Sequence, residues 1–211
     1  MSRLSKSLIA ELDPASPVAE SFRVLRTAIR HKKGKAAAGG LVLMVASSKP
    51  QEGKTAMLSN LAVTYAQDGK KVVAIDGNLR QPSLHEAFGI RGDKGLVQAI
   101  KSSVSLKDAV SPSGYPHLDV LPAGGQPSNP SELLGSAAMA GLLDELKRTY
   151  DVVLLDSPAT LDYTDAGLLA EISDGVMLVV KRGRTKREWA QKAKERLEQA
   201  GAGMLGIVLN K

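Results

Sequence analysis

Lys54 and Thr55 close a stretch, Val45-Ala46-Ser47-Ser48-Lys49-Pro50-Gln51-Glu52-Gly53-Lys54-Thr55, whose residue types suit the handling of a phosphate chain. A lysine ammonium there can reach β- and γ-phosphates, and the adjoining hydroxyl can ligate Mg2+. Backbone N–H groups of a tight loop, with the positive end of the helix it opens, point at phosphate oxygens. On this reading Ser48, Lys49, Pro50, Gln51, Glu52, Gly53, Lys54, Thr55 and Ala56 form a nucleotide cradle. Ser48 stands where such loops usually have their first glycine, so a helix start with an incidental Gly-Lys-Thr is the alternative. Two acids favour the nucleotide. Val72-Val73-Ala74-Ile75 ends in Asp76, and Val152-Val153-Leu154-Leu155 ends in Asp156. Carboxylates at the sheet edge beside the cradle can hold Mg2+, directly or through water, or accept the proton of an attacking hydroxyl. Each acid could instead cap the next helix, and Asp156 before Ser157-Pro158 suits that role on its own. Arg80, close behind Asp76, could pair with a phosphate, a partner or a neighbouring subunit, or form a surface salt bridge.

These groups need a scaffold that brings strand ends together. Apolar, β-rich runs at 41–46, 71–76, 151–156, 175–181 and 204–210, with a shorter one at 118–121, alternate with helical patterns at 54–68, 136–149, roughly 164–171 and 186–200. Near-continuous apolar strands are those of parallel sheets buried on both faces. In the last helix Trp189, Ala193 and Leu197 form one stripe opposite Lys192, Lys194 and Glu195. The pattern predicts an α/β fold: a doubly wound, mostly parallel sheet with helices on both faces and ligands at the carboxyl ends of the strands. Residues 1–17 are expected to be an extended arm, with Pro14 and Pro17 breaking regular structure before a helix at about 18–31. Residues 18–211 are expected to form a single domain without internal repeats.

Composition narrows the chemistry. The 211 residues suffice for one large domain with its own core. The core must be aliphatic, since Trp189, Phe22 and Phe88 are joined only by Tyr65, Tyr115, Tyr150 and Tyr163. With no cysteine, disulfides, thiolate metal sites and a cysteine nucleophile are excluded. Three scattered histidines argue against a histidine metal cluster. No run approaches the length of a membrane span, and Met1-Ser2-Arg3-Leu4-Ser5-Lys6 lacks a signal-peptide apolar region, so a soluble protein of a reducing compartment is expected. The 28 Lys+Arg against 22 Asp+Glu give a net +6, which favours anionic partners. The cluster His31-Lys32-Lys33-Gly34-Lys35 reads either as a solvated helix end or as part of that basic surface. No aromatic interleaving supports a nucleic-acid groove.

The chain resembles the bacterial tyrosine kinases (BY-kinases) of capsule and exopolysaccharide synthesis. The matching segments, in order, are Pro17-Val18-Ala19-Glu20-Ser21-Phe22-Arg23-Val24-Leu25-Arg26, with the family's Glu-x-x-Arg-x-x-Arg element; the phosphate loop; and Ile75-Asp76-Gly77-Asn78-Leu79-Arg80-Gln81-Pro82. There follow Leu121-Pro122-Ala123-Gly124, Pro127-Ser128-Asn129-Pro130-Ser131-Glu132-Leu133-Leu134, the Walker B strand Asp151-Val152-Val153-Leu154-Leu155-Asp156-Ser157-Pro158, and Leu205-Gly206-Ile207-Val208-Leu209-Asn210. The resemblance implies an Mg2+- and ATP-dependent protein-tyrosine kinase that uses ATP and releases ADP. It implies that Lys54 stabilises transferred phosphate charge and that Asp76 is the base toward a tyrosine hydroxyl. Thr55 and Asp156 would organise Mg2+, with Asp76 and Asn78 beside them. Asn210 is a candidate adenine contact. Glu20, Arg23 and Arg26 would lie at a ring-oligomer interface, although their spacing of three also suits ion pairs within one helix. The implied partners are further copies of the chain, tyrosine-containing protein substrates and a membrane adaptor that activates the kinase. The implied location is the cytoplasmic face of the cell membrane, with no nucleic acid expected.

Three features depart from the family pattern. Gln51 replaces a glycine of the loop, which restricts its backbone. Asn78 replaces the second aspartate of an Asp-x-Asp element and removes a charge beside the metal. The sequence stops at Asn210-Lys211 without the usual tyrosine cluster. Tyr65 and Tyr150 read as packing residues, and Tyr115 as a loop residue. Two other functions stay open: a catalytically weakened nucleotide-binding scaffold, and an ATPase switch of the septum-positioning or partition kind.

Overall fold

The computed structural model describes residues 8, 13–33 and 39–211. The expected arm at 1–17 lies largely outside the described residues, as do 34–38 of the basic cluster and its linker.

Among the described residues seven strands form one sheet in the order β3-β4-β2-β5-β1-β6-β7: β1 (Leu41–Ser47), β2 (Val72–Asp76), β3 (Ser111–Pro112), β4 (Leu118–Leu121), β5 (Val152–Asp156), β6 (Gly175–Lys181) and β7 (Met204–Asn210). All neighbouring pairs are parallel except β3 with β4. Because strand side chains alternate, each central strand feeds two cores. Val42, Met44, Val73, Ile75, Val153 and Leu155 face one side, where α4 (Leu96–Ile100), α7 (Ala137–Thr149), α8 (Asp165–Glu171) and α9 (Arg187–Gln199) cover them. Leu43, Val45, Val72, Ala74 and Leu154 face the other, under α2 (Lys54–Gln67) and α1 (Pro17–Lys33). The doubly wound α/β architecture read from the sequence is the one observed.

α2 is buried almost all round, so its polar residues must find partners within it. Ser59, Asn60 and Thr64 each donate to the carbonyl four residues back, at 2.7 to 2.8 Å. α1 covers the outer face of α2, and Arg26 donates to the Thr64 carbonyl at 2.6 Å and pairs with Asp68 at 3.2 Å.

One local expectation needs correction. Pro17 opens α1 instead of breaking structure before it, with Ser16 as the cap whose hydroxyl accepts the Ala19 N–H at 3.1 Å. The long connection from β2 to α7 adds short elements around the expected strand β4. It holds α3 (Leu84–Phe88), α4, α5 (Leu106–Ala109), α6 (Pro130–Leu134) and the short edge strand β3.

Candidate nucleotide site

The parallel register sets Asp76 directly beside Asp156 at the carboxyl ends of β2 and β5. β5 also pairs with β1, whose end runs into the phosphate loop, so three chain segments meet at one sheet edge. Gly77 allows the approach. A Cβ there would lie 2.5 Å from the Asp156 carbonyl oxygen, and the Gly77 N–H donates to that same oxygen at 3.1 Å.

The loop is shaped from within. The buried Glu52 carboxylate accepts the Lys49 N–H at 3.1 Å and the Thr185 hydroxyl from the loop after β6. The Ser47 hydroxyl donates to the Lys49 carbonyl at 2.8 Å. Asn210, ending β7, donates its amide to the Glu52 carbonyl at 3.0 Å. Gly53 is left-handed at φ 97°, and a Cβ on it would strike that amide at 2.1 Å, so both the conformation and the contact demand glycine. Gln51 is also left-handed, at φ 61°, which is the conformation that makes the usual glycine easy there. Its side chain accepts from Arg184 at 3.1 Å.

α2 begins without a side-chain cap, and no acid occupies its first turn. Lys54 is only 7% exposed, and its ammonium donates to the Ser47 hydroxyl at 3.0 Å. Burial pulls the Lys54 pKa down, against the raising pull of Asp156 and Glu52. Thr55 donates to Asp156 at 2.6 Å and lies 3.2 Å from the Ser83 hydroxyl. Asp156 accepts the Ser157 N–H at 3.0 Å and caps no helix. Asp76 does cap one: it accepts the N–H groups of Ser83 and Leu84 at 2.9 Å at the start of α3, and that of Asn78 at 3.2 Å. Of the two roles open to Asp76, the capping one is therefore observed, and it leaves the carboxylate beside Asp156 at the sheet edge. Burial, then the charge of Asp156, pushes the Asp76 carboxyl up to about 7 despite those donors. Burial also raises Asp156, against the opposing effects of Lys54 and Thr55. Two buried neighbouring carboxylates with a hydroxyl beside them fit a divalent cation, and a largely buried ammonium with an uncapped helix start fits a polyphosphate, because the charges of neither set are fully balanced. The Ser48 hydroxyl, in the position of the missing glycine, is buried with no hydrogen-bond partner among the described residues.

A cleft of about 540 Å³ opens over this edge, lined by the loop, Thr55, Asn78, Arg80, Ser83 and Tyr163 among others. Asn78 is turned to its own loop, donating to the Gln81 carbonyl at 3.0 Å. Arg80 meets neither a phosphate loop residue nor a surface acid. It grips the fully buried Asp165 through two nitrogens at 2.7 and 3.0 Å, while Ser131 donates to the same carboxylate at 2.6 Å. The guanidinium also stacks 4.0 Å from the Tyr163 ring centre. Asp165, Tyr163, Ser83 and Thr185 carried no local pattern that marks a site, and only the fold assembles them; Ser47 and Ser131 lay within marked segments but with no role attached to them.

Glu20, Arg23 and Arg26 stand apart from the cleft on α1. Glu20 and Arg23 pair at 2.7 Å, and Arg23 also donates to the Pro14 carbonyl at 2.8 Å. Arg26 turns to α2 as described. Val18 and Val24 on α1 and Ile207 and Leu209 on β7 are exposed and line an apolar groove of about 680 Å³. No helix among the described residues is long and apolar enough to cross a membrane.

A family model described as an AAA domain (AAA_31) matches residues 40–192. Tyrosine-protein kinase YwqD of Bacillus subtilis (strain 168) is 39% identical over 215 residues, covering 99% of this chain and 87% of that protein. The crystal structure of the chimerical protein CapA2B2 superposes with a TM-score of 0.92 at 36% identity, covering 97% of this chain and 89% of that one. The cell division ATPase MinD of Pyrococcus furiosus superposes less closely, with a TM-score of 0.70 at 28% identity over 81% of this chain and 72% of that one. On these similarities in sequence and fold, the chain belongs to the bacterial tyrosine-kinase (BY-kinase) family and carries its P-loop nucleotide-binding α/β fold.

Proposed function

We propose that the protein is an Mg-ATP-dependent protein-tyrosine kinase that regulates capsule or exopolysaccharide synthesis or export. One observation carries this reading: a buried lysine, a threonine hydroxyl and two adjoining carboxylates share one sheet edge, in a chain related to tyrosine-protein kinases. Thr55 and Asp156 would hold Mg2+, with Asp76 and Asn78 beside them. The bound cation would supply positive charge at the phosphate oxygens. The loop from Ser48 to Ala56 binds and orients the triphosphate through its N–H groups. Lys54 meets the charge that develops on the transferred group. Asp76, with its affinity for a proton raised toward neutrality, accepts the proton of the attacking tyrosine hydroxyl. Asn210, which touches the cradle through Glu52, is the candidate for the adenine side.

Assembly belongs to the same proposal. Glu20 and Arg23, on the helix that presents exposed Val18 and Val24, would face another copy in a ring, with Arg26 behind them tying that helix to α2, since exposed apolar patches mark contact surfaces. A membrane adaptor would activate the kinase and hold it at the inner face of the membrane. Similarity to a chimerical protein, CapA2B2, is consistent with such a partner.

Purified protein with an adaptor tail and Mg-ATP should label a tyrosine-rich acceptor peptide, and Lys54→Met should abolish labelling. Bound ATP without labelling at saturation would favour the second reading, a nucleotide-binding scaffold, which the strained Gln51 and the missing charge at Asn78 support. Hydrolysis without tyrosine labelling, stimulated by DNA or lipid, would favour a partition-type ATPase switch.

A further inference from the structure

Resting on the kinase reading, we infer that Tyr163 is a phosphoacceptor of the cleft it lines, labelled within its own molecule. Of the chain's four tyrosines it is the one that lines the same cleft as the phosphate loop. Tyr65 is 7% exposed in the core, Tyr150 donates to Asp119 at 2.9 Å, and Tyr115 packs edge-on against Phe88 beside a separate pocket. Tyr163 is 39% exposed, and among the described residues its hydroxyl has no protein partner.

Its position relative to the loop is fixed from two sides. The segment that carries it is joined to the start of the phosphate loop: the Thr160 N–H donates to the Ser47 carbonyl at 2.9 Å and the Leu161 N–H to the Ser48 carbonyl at 3.2 Å. Asp162 pairs with Lys49, and Arg196 donates to the Leu161 carbonyl at 3.0 Å. From the other side Arg80 supports the ring at 4.0 Å, and Arg80 is itself immobilised by the buried Asp165. An aromatic ring on a pinned guanidinium loses little further freedom on being positioned for attack. Transfer would join the Tyr163 oxygen to the γ-phosphorus of a nucleoside triphosphate and break the bond between that phosphorus and the bridging oxygen. The nucleoside diphosphate leaves, and the phenolic proton passes to the carboxylate pair and then to water.

The test is phosphopeptide mapping of the whole chain after incubation with Mg-ATP and the adaptor tail, with a tyrosine-rich acceptor peptide in the same mixture. The peptide that contains Tyr163 should gain a phosphate in the wild type. Tyr163→Phe, which keeps the stacked ring, should lose it. A tagged Lys54→Met chain mixed with wild type should stay bare at Tyr163. A labelled acceptor peptide with a bare Tyr163 overturns the inference and leaves the kinase reading intact. Absence of both labels despite bound ATP overturns that reading and the inference with it. Labelling of the tagged chain overturns the intramolecular route.

Discussion

Arg80→Ala would strip a buried carboxylate of its cation. The Asp165 side chain is 0% exposed and that of Arg80 is 28% exposed, with two nitrogens at 2.7 and 3.0 Å from its two oxygens. Removing one partner of a buried pair costs about 3–5 kcal/mol. Ser131 still donates at 2.6 Å and Arg80 keeps some water, which places the loss at the low end, about 3 kcal/mol. For a domain of this size that lowers Tm by roughly 6–12 °C. The pH dependence gives a second handle. Burial alone would raise the Asp165 carboxyl, but hydrogen bonds from Arg80 and Ser131 outweigh it and hold the group below its ordinary value of 3.8. In the wild type this stabilisation is therefore present above that value and is lost as pH falls through the lower, folded one. In Arg80→Ala burial dominates, the carboxyl rises, and protonation relieves the fold as pH falls. The gap between the two proteins should be widest near neutrality and narrow toward pH of about 4. Urea denaturation at several pH values measures it, and Asp165→Asn in the Arg80→Ala background should recover part of the loss. A cost below about 1 kcal/mol, unchanged with pH and not relieved by the second substitution, would refute the assignment of a desolvated ion pair.

Asp76 gives the opposite slope. Its folded-state value of about 7 exceeds the ordinary 3.8, so the fold holds that proton more tightly than the unfolded chain does. Stability should fall as pH rises between those values, and Asp76→Asn should flatten the profile in thermal melts. Gln51→Gly removes left-handed strain of about 1–2 kcal/mol, offset by the greater freedom of an unfolded glycine. A net gain of about 0.5–1 kcal/mol is expected from denaturant midpoints; a loss would show that the Arg184 contact outweighs the strain. Asn78→Asp restores a carboxylate while sacrificing the 3.0 Å donation to Gln81. It should tighten Mg-dependent nucleotide binding and speed tyrosine transfer, and an unchanged rate would argue that Asn78 is no handicap.

The sheet was legible because parallel strands buried on both faces are written as unbroken aliphatic runs, and β5 and β6 show this plainly. The meeting of the loop with the two acids was legible for a related reason: the loop residues are contiguous and the acids end strands. The stretch between β2 and α7 was opaque. Helices of four or five residues, such as α3 and α5, are too short to display a period, and one cap of α3 comes from Asp76, eight residues from Leu84. β3 contains only Ser111 and Pro112. Long-range pairs leave no sequence trace either. Thr185 meets Glu52 across 133 positions and Asp165 meets Arg80 across 85, so their partnership is a property of topology. Glu20 and Arg23 show the limit of spacing: they pair within the helix as their interval allows, while Arg26, on the same interval, crosses to another helix.

Among the described residues β7 terminates the sheet with one side of its backbone unmatched by another strand, and its final residue, Asn210, holds the Glu52 carbonyl. A molecule that extended the sheet along that border would sit a single amide away from the hinge of the anion cradle. Occupancy at the rim and the posture of Gly53 would then be coupled mechanically, through a lever one side chain long, without any rearrangement of the aliphatic layers between them.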